Sequence, residues 1–207
     1  MKNYTTNYID TFHYGINQTK YKINSLNIDS ESFFQQLNDY TKEVKKIGGR
    51  LFFFGNGASA AFSNHMAIDW SKIGGLLSFS LSDSAMITAL ANDYDFEGCF
   101  LEFLKINSPT SNDLIITTSA SGNSPNIVKV LQYCKEKNIS SFGLSGLNEG
   151  NKTENLSKFS LFVPMKTYGM VECIHQLFHH IYFDKFMGVE EWNRNESQNM
   201  EAKNFKL

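Results

Sequence analysis

Residues 51–69 read LFFFGNGASAAFSNHMAID. Leu51, Phe52, Phe53 and Phe54 form an apolar run without helical periodicity, the pattern of a strand covered on both faces in a parallel sheet. The run breaks at Gly55, Asn56 and Gly57 and resumes from about Ser59 as a sequence a helix can carry. Strand, glycine turn and helix together bring backbone N–H groups and the positive end of a helix toward an anion. On that helix His65 and Asp69 stand four residues apart, so both side chains leave the same face. One stretch thus offers an anion cradle and, further along, an imidazole and a carboxylate.

The rest of the chain repeats the strand–helix alternation. Residues 114–118 (LIITT) read as a buried strand followed at once by Ser119, Ala120, Ser121, Gly122, Asn123, Ser124 and Pro125. Ser124 as cap and Pro125 at the first helical position start a helix over 126–137. Further strands are expected at 76–81, 141–144 and 159–164, and further helices at 83–92, 96–106 and 170–186. Before the first strand, Tyr8, Ile9, Phe12 and Tyr14, followed by Ile16, Tyr21 and Ile23, suggest an amphipathic helix. A second helix runs from Asp29, Ser30 and Glu31 to about Ile47, with Phe33, Phe34, Leu37, Tyr40 and Val44 on one face and Gly48 and Gly49 as its stop. The expectation is an α/β fold with a mainly parallel sheet flanked by helices and an N-terminal helical prefix, one domain throughout. Its parts are helices over 1–48, an α/β core over 50–187 and a loosely held polar tail over 188–207. Ligands of such sheets sit beyond the carboxyl ends of the strands, so both loops should face one crevice.

The 207 residues suffice for a sizeable core, and 42% hydrophobic with 19% charged residues is ordinary for a soluble globular protein. A net charge of −2 leaves no basic footprint for nucleic acid, no apolar run is long enough to span a membrane, and the N-terminus lacks a signal-peptide core. Cys99, Cys134 and Cys173 match neither a disulfide framework nor a zinc knuckle and read as reduced core thiols of a cytoplasmic protein.

Ser119, Ser121 and Ser124, with Asn123 and a helix N-terminus, make a site rich in neutral donors. Neither loop contains the lysine that a Walker loop requires. A phosphate here would be held by hydroxyls, amides and a helix dipole; alone, the serines are equally turn and cap residues, and the matching glycine loop favours phosphate. The last helix carries Glu172, His175, Gln176, His179 and His180, with Glu172, Gln176 and His180 at successive i, i+4 spacings. Together with His65 and Asp69, these give two helices that each present a carboxylate and an imidazole. Such a set can ligate a divalent metal such as zinc or act as general base and acid beside a carbonyl. His175 and His179 are equally read as hydrogen-bonded core residues, and Asp93 as a turn cap.

The motifs GNGASAAFSNH (55–65), ALANDY (89–94), TTSASGNSPN (117–126) and ECIHQLFHH (172–180) occur in an order, from about residue 30 to 187, that resembles the phosphoheptose isomerases of the sugar isomerase (SIS) domain family. The resemblance implies a flavodoxin-like sheet, a homotetramer with sites shared between subunits, and often a bound zinc. It also implies interconversion of sedoheptulose 7-phosphate and glycero-manno-heptose 7-phosphate through an enediol, feeding heptose to lipopolysaccharide or capsule. By this resemblance Ser59, Ser119, Ser121 and Ser124 hold the phosphate, while Asn56, Gly57, Asn92 and Asp93 line the sugar site. His180 is the acid, Asp69 or Glu172 the base, and His65, Asp69, Glu172 and His180 the metal ligands. Departures stand at Asp69, where the family has a glutamate, at Glu172, where it has a glutamine, and at Ala120, where it has a threonine. A carboxylate displaced by about an ångström costs on the order of a hundredfold in rate, so a different sugar phosphate, or a non-catalytic sugar-phosphate-binding or adaptor role, is the alternative.

Overall fold

The computed structural model describes residues 3–193. Helix α1 (Tyr4–Asn17) leads into a hairpin of β1 (Lys20–Ile23) and β2 (Leu26–Ile28), and α2 (Ser30–Lys46) follows. The alternating part comprises β3 (Leu51–Gly55), α3 (Ala58–Lys72), β4 (Ser78–Ser80), α4 (Ser84–Tyr94), α5 (Cys99–Ile106) and β5 (Leu114–Ser119). It continues with α6 (Pro125–Glu136), β6 (Ser140–Gly146), α7 (Lys152–Leu156), β7 (Phe159–Val163) and α8 (Tyr168–Met187).

These strands form one seven-stranded sheet in the order β2-β1-β7-β6-β5-β3-β4. From β7 to β4 all neighbours are parallel, whereas β1 joins β7 antiparallel, with Tyr21 opposite Leu161, and β2 joins β1 antiparallel. The parallel part has the flavodoxin-like order, whose switch point lies between β3 and β5. Both loops singled out in the sequence leave the carboxyl ends of those two strands.

Alternate residues of β3 serve opposite faces, as the period of a strand requires. Leu51 and Phe53 join a core with Phe33, Leu37, Trp70, Phe178 and Tyr182, under α2, α3 and α8. Phe52 and Phe54 join a second core with Phe100, Leu104, Ile127 and Leu131, under α5 and α6. The Trp70 ring packs 4.8 Å from that of Tyr182, 5.1 Å from Phe183 and 4.6 Å from Phe186, which clamps α3 to α8. At the amino ends of β3 and β5, the buried Asp113 carboxylate accepts hydrogen bonds from Arg50 N, Nε and Nη2 and from Thr110 N, all at 2.8–3.1 Å.

Several expectations need correction. The prefix is not helical throughout: Tyr21 and Ile23 sit in the β1 strand, and a four-residue strand is too short to show an alternating pattern. The strand expected at 76–81 is confined to Ser78–Ser80, and the helix expected from 96 begins at Cys99, after Asp95 Oδ1 has accepted the Gly98 amide at 2.6 Å. The polar segment between β6 and β7 contains α7, capped by Asn151. Cys99 and Cys134 are buried, but Cys173 lies exposed on α8 rather than in the core. Glu191–Asn193 form a single 3-10 turn, and residues 194–207 of the expected tail lie outside the described residues.

Candidate active site

The two loops do share a crevice. Asn56 and Ser59 on one side, Thr118, Ser119, Ala120, Ser121 and Ser124 on another, and Tyr168 and Glu172 from α8 enclose a pocket of about 90 Å³. A site for one water needs about 10–15 Å³, so there is room for a tetrahedral anion, while the pocket is far smaller than the roughly 300–1,000 Å³ of small-molecule sites.

The cradle is built from backbone and neutral donors. Gly57 adopts φ 56° and ψ −124°, a conformation open essentially to glycine alone, and the chain turns there into α3 without a side-chain cap. Ser124 occupies the N-cap of α6, yet its hydroxyl makes no capping bond and lies 3.2 Å from Ser119 Oγ. Both helix N-termini at the pocket therefore keep their dipole ends free of a side-chain cap, the arrangement that favours an anion. Across the crevice Asn56 Nδ2 donates to Asn126 Oδ1 at 3.0 Å and Asn126 Nδ2 to Asn56 Oδ1 at 2.9 Å, locking the two loops to each other.

Beneath the loops lie two fully buried histidines of α8. His179 Nε2 pairs with Thr118 Oγ1 at 2.9 Å, and His175 Nε2 donates to the Ser145 carbonyl at 3.0 Å. Burial pushes His175 down to about 4, opposed by the Ser145 bond, and His179 down to about 3, with His175 and His180 adding to the fall. Both are neutral anchors that tie α8 to the carboxyl ends of β5 and β6.

Further along α3 and α8, His65 Nε2 stands 3.2 Å from Asp69 Oδ2, and the His65 and His180 rings are 5.5 Å apart. Ligand atoms of His65, Asp69 and His180 all lie within 4.8 Å of one another. Two imidazoles and a carboxylate, with a position left for water or substrate, are the donor set of a catalytic zinc site, so these residues fit a metal. Asp184 lies one turn beyond His180; burial raises its carboxyl, with Asp69 and Glu191 adding to the rise and His180 opposing it.

The sequence matches the SIS domain family over residues 17–146. The chain belongs to that family. It is 37% identical over 145 residues to the phosphoheptose isomerase of Aneurinibacillus thermoaerophilus, covering 67% of this chain and 72% of that protein. It is 36% identical over 142 residues to phosphoheptose isomerase 2 of Campylobacter jejuni, covering 66% and 70%. Among solved structures, the phosphoheptose isomerase GmhA of Neisseria gonorrhoeae superposes with a TM-score of 0.68 at 25% identity, over 76% of this chain and 86% of that one.

Within this SIS fold the structure brings Asn56, Ser59, Ser119, Ser121, Ser124 and Glu172 to one pocket, and His65, Asp69 and His180 to one cluster. Glu172 stands apart from that cluster: it lies eight residues before His180, about 12 Å along the helix axis, in the wall of the phosphate-sized pocket. Asn92 and Asp93 are exposed at the end of α4, where Asn92 Nδ2 donates to Asp93 Oδ1 at 3.0 Å, and neither lines the pocket. Tyr168, Thr118 and Asn126 belong to the site but were not singled out in the sequence. Tyr168 stands four residues before Glu172, a spacing that would have flagged it; nothing local distinguishes Asn126 from a first-turn residue.

Proposed function

We propose that this chain is an aldose–ketose isomerase interconverting sedoheptulose 7-phosphate and D-glycero-D-manno-heptose 7-phosphate through an enediol, in the cytoplasm, for lipopolysaccharide or capsule. The observation that carries this is the union, on the same two helices, of a cationless phosphate-sized pocket with the His65, Asp69 and His180 cluster. Kinship with phosphoheptose isomerases supports it.

In a 7-phosphate the reacting carbons C1 and C2 lie at the far end of the skeleton from the ester. Ser119, Ser121, Ser124 and Ser59 hold the phosphate, and the remainder runs along α3 and α8 toward the cluster, about 9 Å from Ser59 by helical rise. Asp69 turns Oδ2 to His65 and offers Oδ1 as base. From the ketose it takes a proton at C1; the enediol forms as O2 receives a proton from His180; the C1 proton then returns at C2 while O1–H gives its proton back to His180, leaving the aldehyde and restoring both residues. Glu172, in the pocket wall, accepts hydrogen bonds from sugar hydroxyls. His65, Asp69 and His180 would hold a zinc ion, which supplies Lewis-acid stabilisation of negative charge on the substrate oxygens.

A homotetramer with sites shared between subunits is part of the proposal. It is supported by α1, whose Tyr4, Tyr8, Ile9 and Tyr14 are exposed, and by a pocket well below the roughly 300–1,000 Å³ that small-molecule ligands occupy. No nucleic-acid or membrane partner is proposed; among the described residues no helix is long and apolar enough to cross a membrane.

The test is proton NMR of sedoheptulose 7-phosphate with metal-replete protein in heavy water, beside an EDTA-treated sample. Aldose signals with deuterium entering next to the carbonyl are expected. An unchanged spectrum from folded, metal-replete protein would refute the heptose assignment and turn attention to other sugar phosphates or a non-catalytic binding role.

A further inference from the structure

We propose that Asn151, a residue outside the pocket, positions the phosphate-binding loop by holding Gly122. This rests on the reading of residues 119–124 as the phosphate site. Gly122 has φ 64°, in the left-handed region, and a Cβ built on it would stand 2.1 Å from Asn151 Cγ and Oδ1. The Asn151 amide therefore lies directly against the Gly122 backbone, and the approach is possible only because Gly122 has no side chain.

That amide is fixed at both ends. Nδ2 donates to Ser145 Oγ at 3.1 Å and to the Asn148 carbonyl at 2.9 Å, while Oδ1 accepts the Glu154 amide at 3.0 Å as the cap of α7. The side chain is buried. The first residues of α7 then grip the loop: Thr153 N donates to the Gly122 carbonyl at 2.9 Å and Lys152 N to Asn123 Oδ1 at 3.1 Å. Gly122 N in turn donates to the Ser119 carbonyl at 2.9 Å. Asn151 thus backs the one turn whose shape aims Ser119, Ser121 and Ser124 into the pocket. Glu154 secures the brace from behind, accepting Gly150 N at 2.7 Å and Lys22 Nζ of β1 at 2.5 Å. The site's donors are neutral, so their affinity for a phosphate depends on geometry, and a loop relaxed by an ångström loses it.

The experiment compares Asn151→Ala and Asn151→Ser with the unaltered protein, each checked by thermal melting. The serine keeps an oxygen to cap α7 but not the amide that covers Gly122. KM and kcat are measured for the sugar phosphate, and inorganic phosphate is titrated as a competitive inhibitor. Both variants are expected to raise KM and the phosphate inhibition constant together by about tenfold or more, with kcat within about threefold, and the serine variant to melt close to the unaltered protein. A folded serine variant with unchanged KM and phosphate inhibition would overturn the inference, and so would a fall in kcat at constant KM. If inorganic phosphate fails to compete in the unaltered protein, the phosphate-loop reading itself is wrong, a result separable from failure of Asn151 alone.

Discussion

Glu172 puts a negative side chain in the wall of a pocket otherwise lined by neutral groups, and its effect on an anion can be worked out. A phosphate in contact with the wall that Glu172 helps to form has its phosphorus about 5 Å from the carboxylate, one contact distance plus a P–O bond. At an effective dielectric of about 20, two unit charges at that distance repel by about 3 kcal/mol, and phosphate carries a charge of about −1.5 to −2. Glu172 is only half-buried, and solvent at the mouth screens the interaction, so about 2 kcal/mol is the figure to test. Glu172→Gln keeps the shape and removes the charge. In EDTA-treated protein, where no cation offsets the carboxylate, the variant should bind inorganic phosphate about thirtyfold more tightly. Isothermal titration at low salt measures this, and the gain should shrink as salt is added. A dissociation constant in the folded variant equal to or weaker than that of the unaltered protein would show that phosphate does not sit beside Glu172.

Replacing His180 with alanine should abolish isomerisation, by at least about a hundredfold, while leaving phosphate binding and the assembled state unchanged, as read by NMR turnover, titration and light scattering; full activity would refute its role as the acid. His65→Ala should lose stoichiometric zinc in elemental analysis of dialysed protein, whereas His13→Ala, on α1, should retain it. Acid should weaken the fold through His175 and His179: their folded values, about 4 and about 3, lie below the unfolded 6.5, so the unfolded chain binds protons first and stability falls as pH drops from 6.5. At pH 5 this is about 2 kcal/mol for each. Urea unfolding between pH 7 and 5 should show the loss, and His175→Gln should remove about half of it. Asp113→Ala, remote from the site, should strip the buried acceptor from Arg50 and Thr110 and cost about 3–5 kcal/mol, lowering Tm by about 10 °C without changing KM.

The elements that sequence made legible are those whose signals are local and repeated. Phe52 and Phe54 beside Leu51 and Phe53 announce a two-faced strand, and Asp29 announces the start of α2, where Oδ1 accepts the Ser32 amide at 2.9 Å. The facing of the two loops followed from strand order, and the meeting of His65, Asp69 and His180 from helix spacing plus kinship. Illegible were features made by distant partners. Tyr21 and Ile23 continue a plausible apolar stripe, and only pairing with β7 turns them into a strand. Cys173 sits two residues from the buried Val171 and Ile174 and Phe178 follow it, so its outward face is decided by which side of α8 meets the sheet. Asn126 and Asn151 do their work through side chains that reach across loops, 70 residues back to Asn56 in one case, and a single sequence does not show such pairs.

The antiparallel join of β1 to β7 places Tyr21 opposite Leu161, and it imposes an order on synthesis. The amino-terminal hairpin has no sheet to dock on until a strand 140 positions later has left the ribosome. At about 5–20 residues per second this is a wait of about 7–28 s. Throughout it Phe33 and Phe34, whose rings finally pack on Tyr21, Phe142, Phe159 and Phe178, lack most of those partners. The nascent chain therefore carries an unshielded aromatic cluster on α2, and holding chaperones should bind it there until β7 (Phe159–Val163) has emerged from the ribosome.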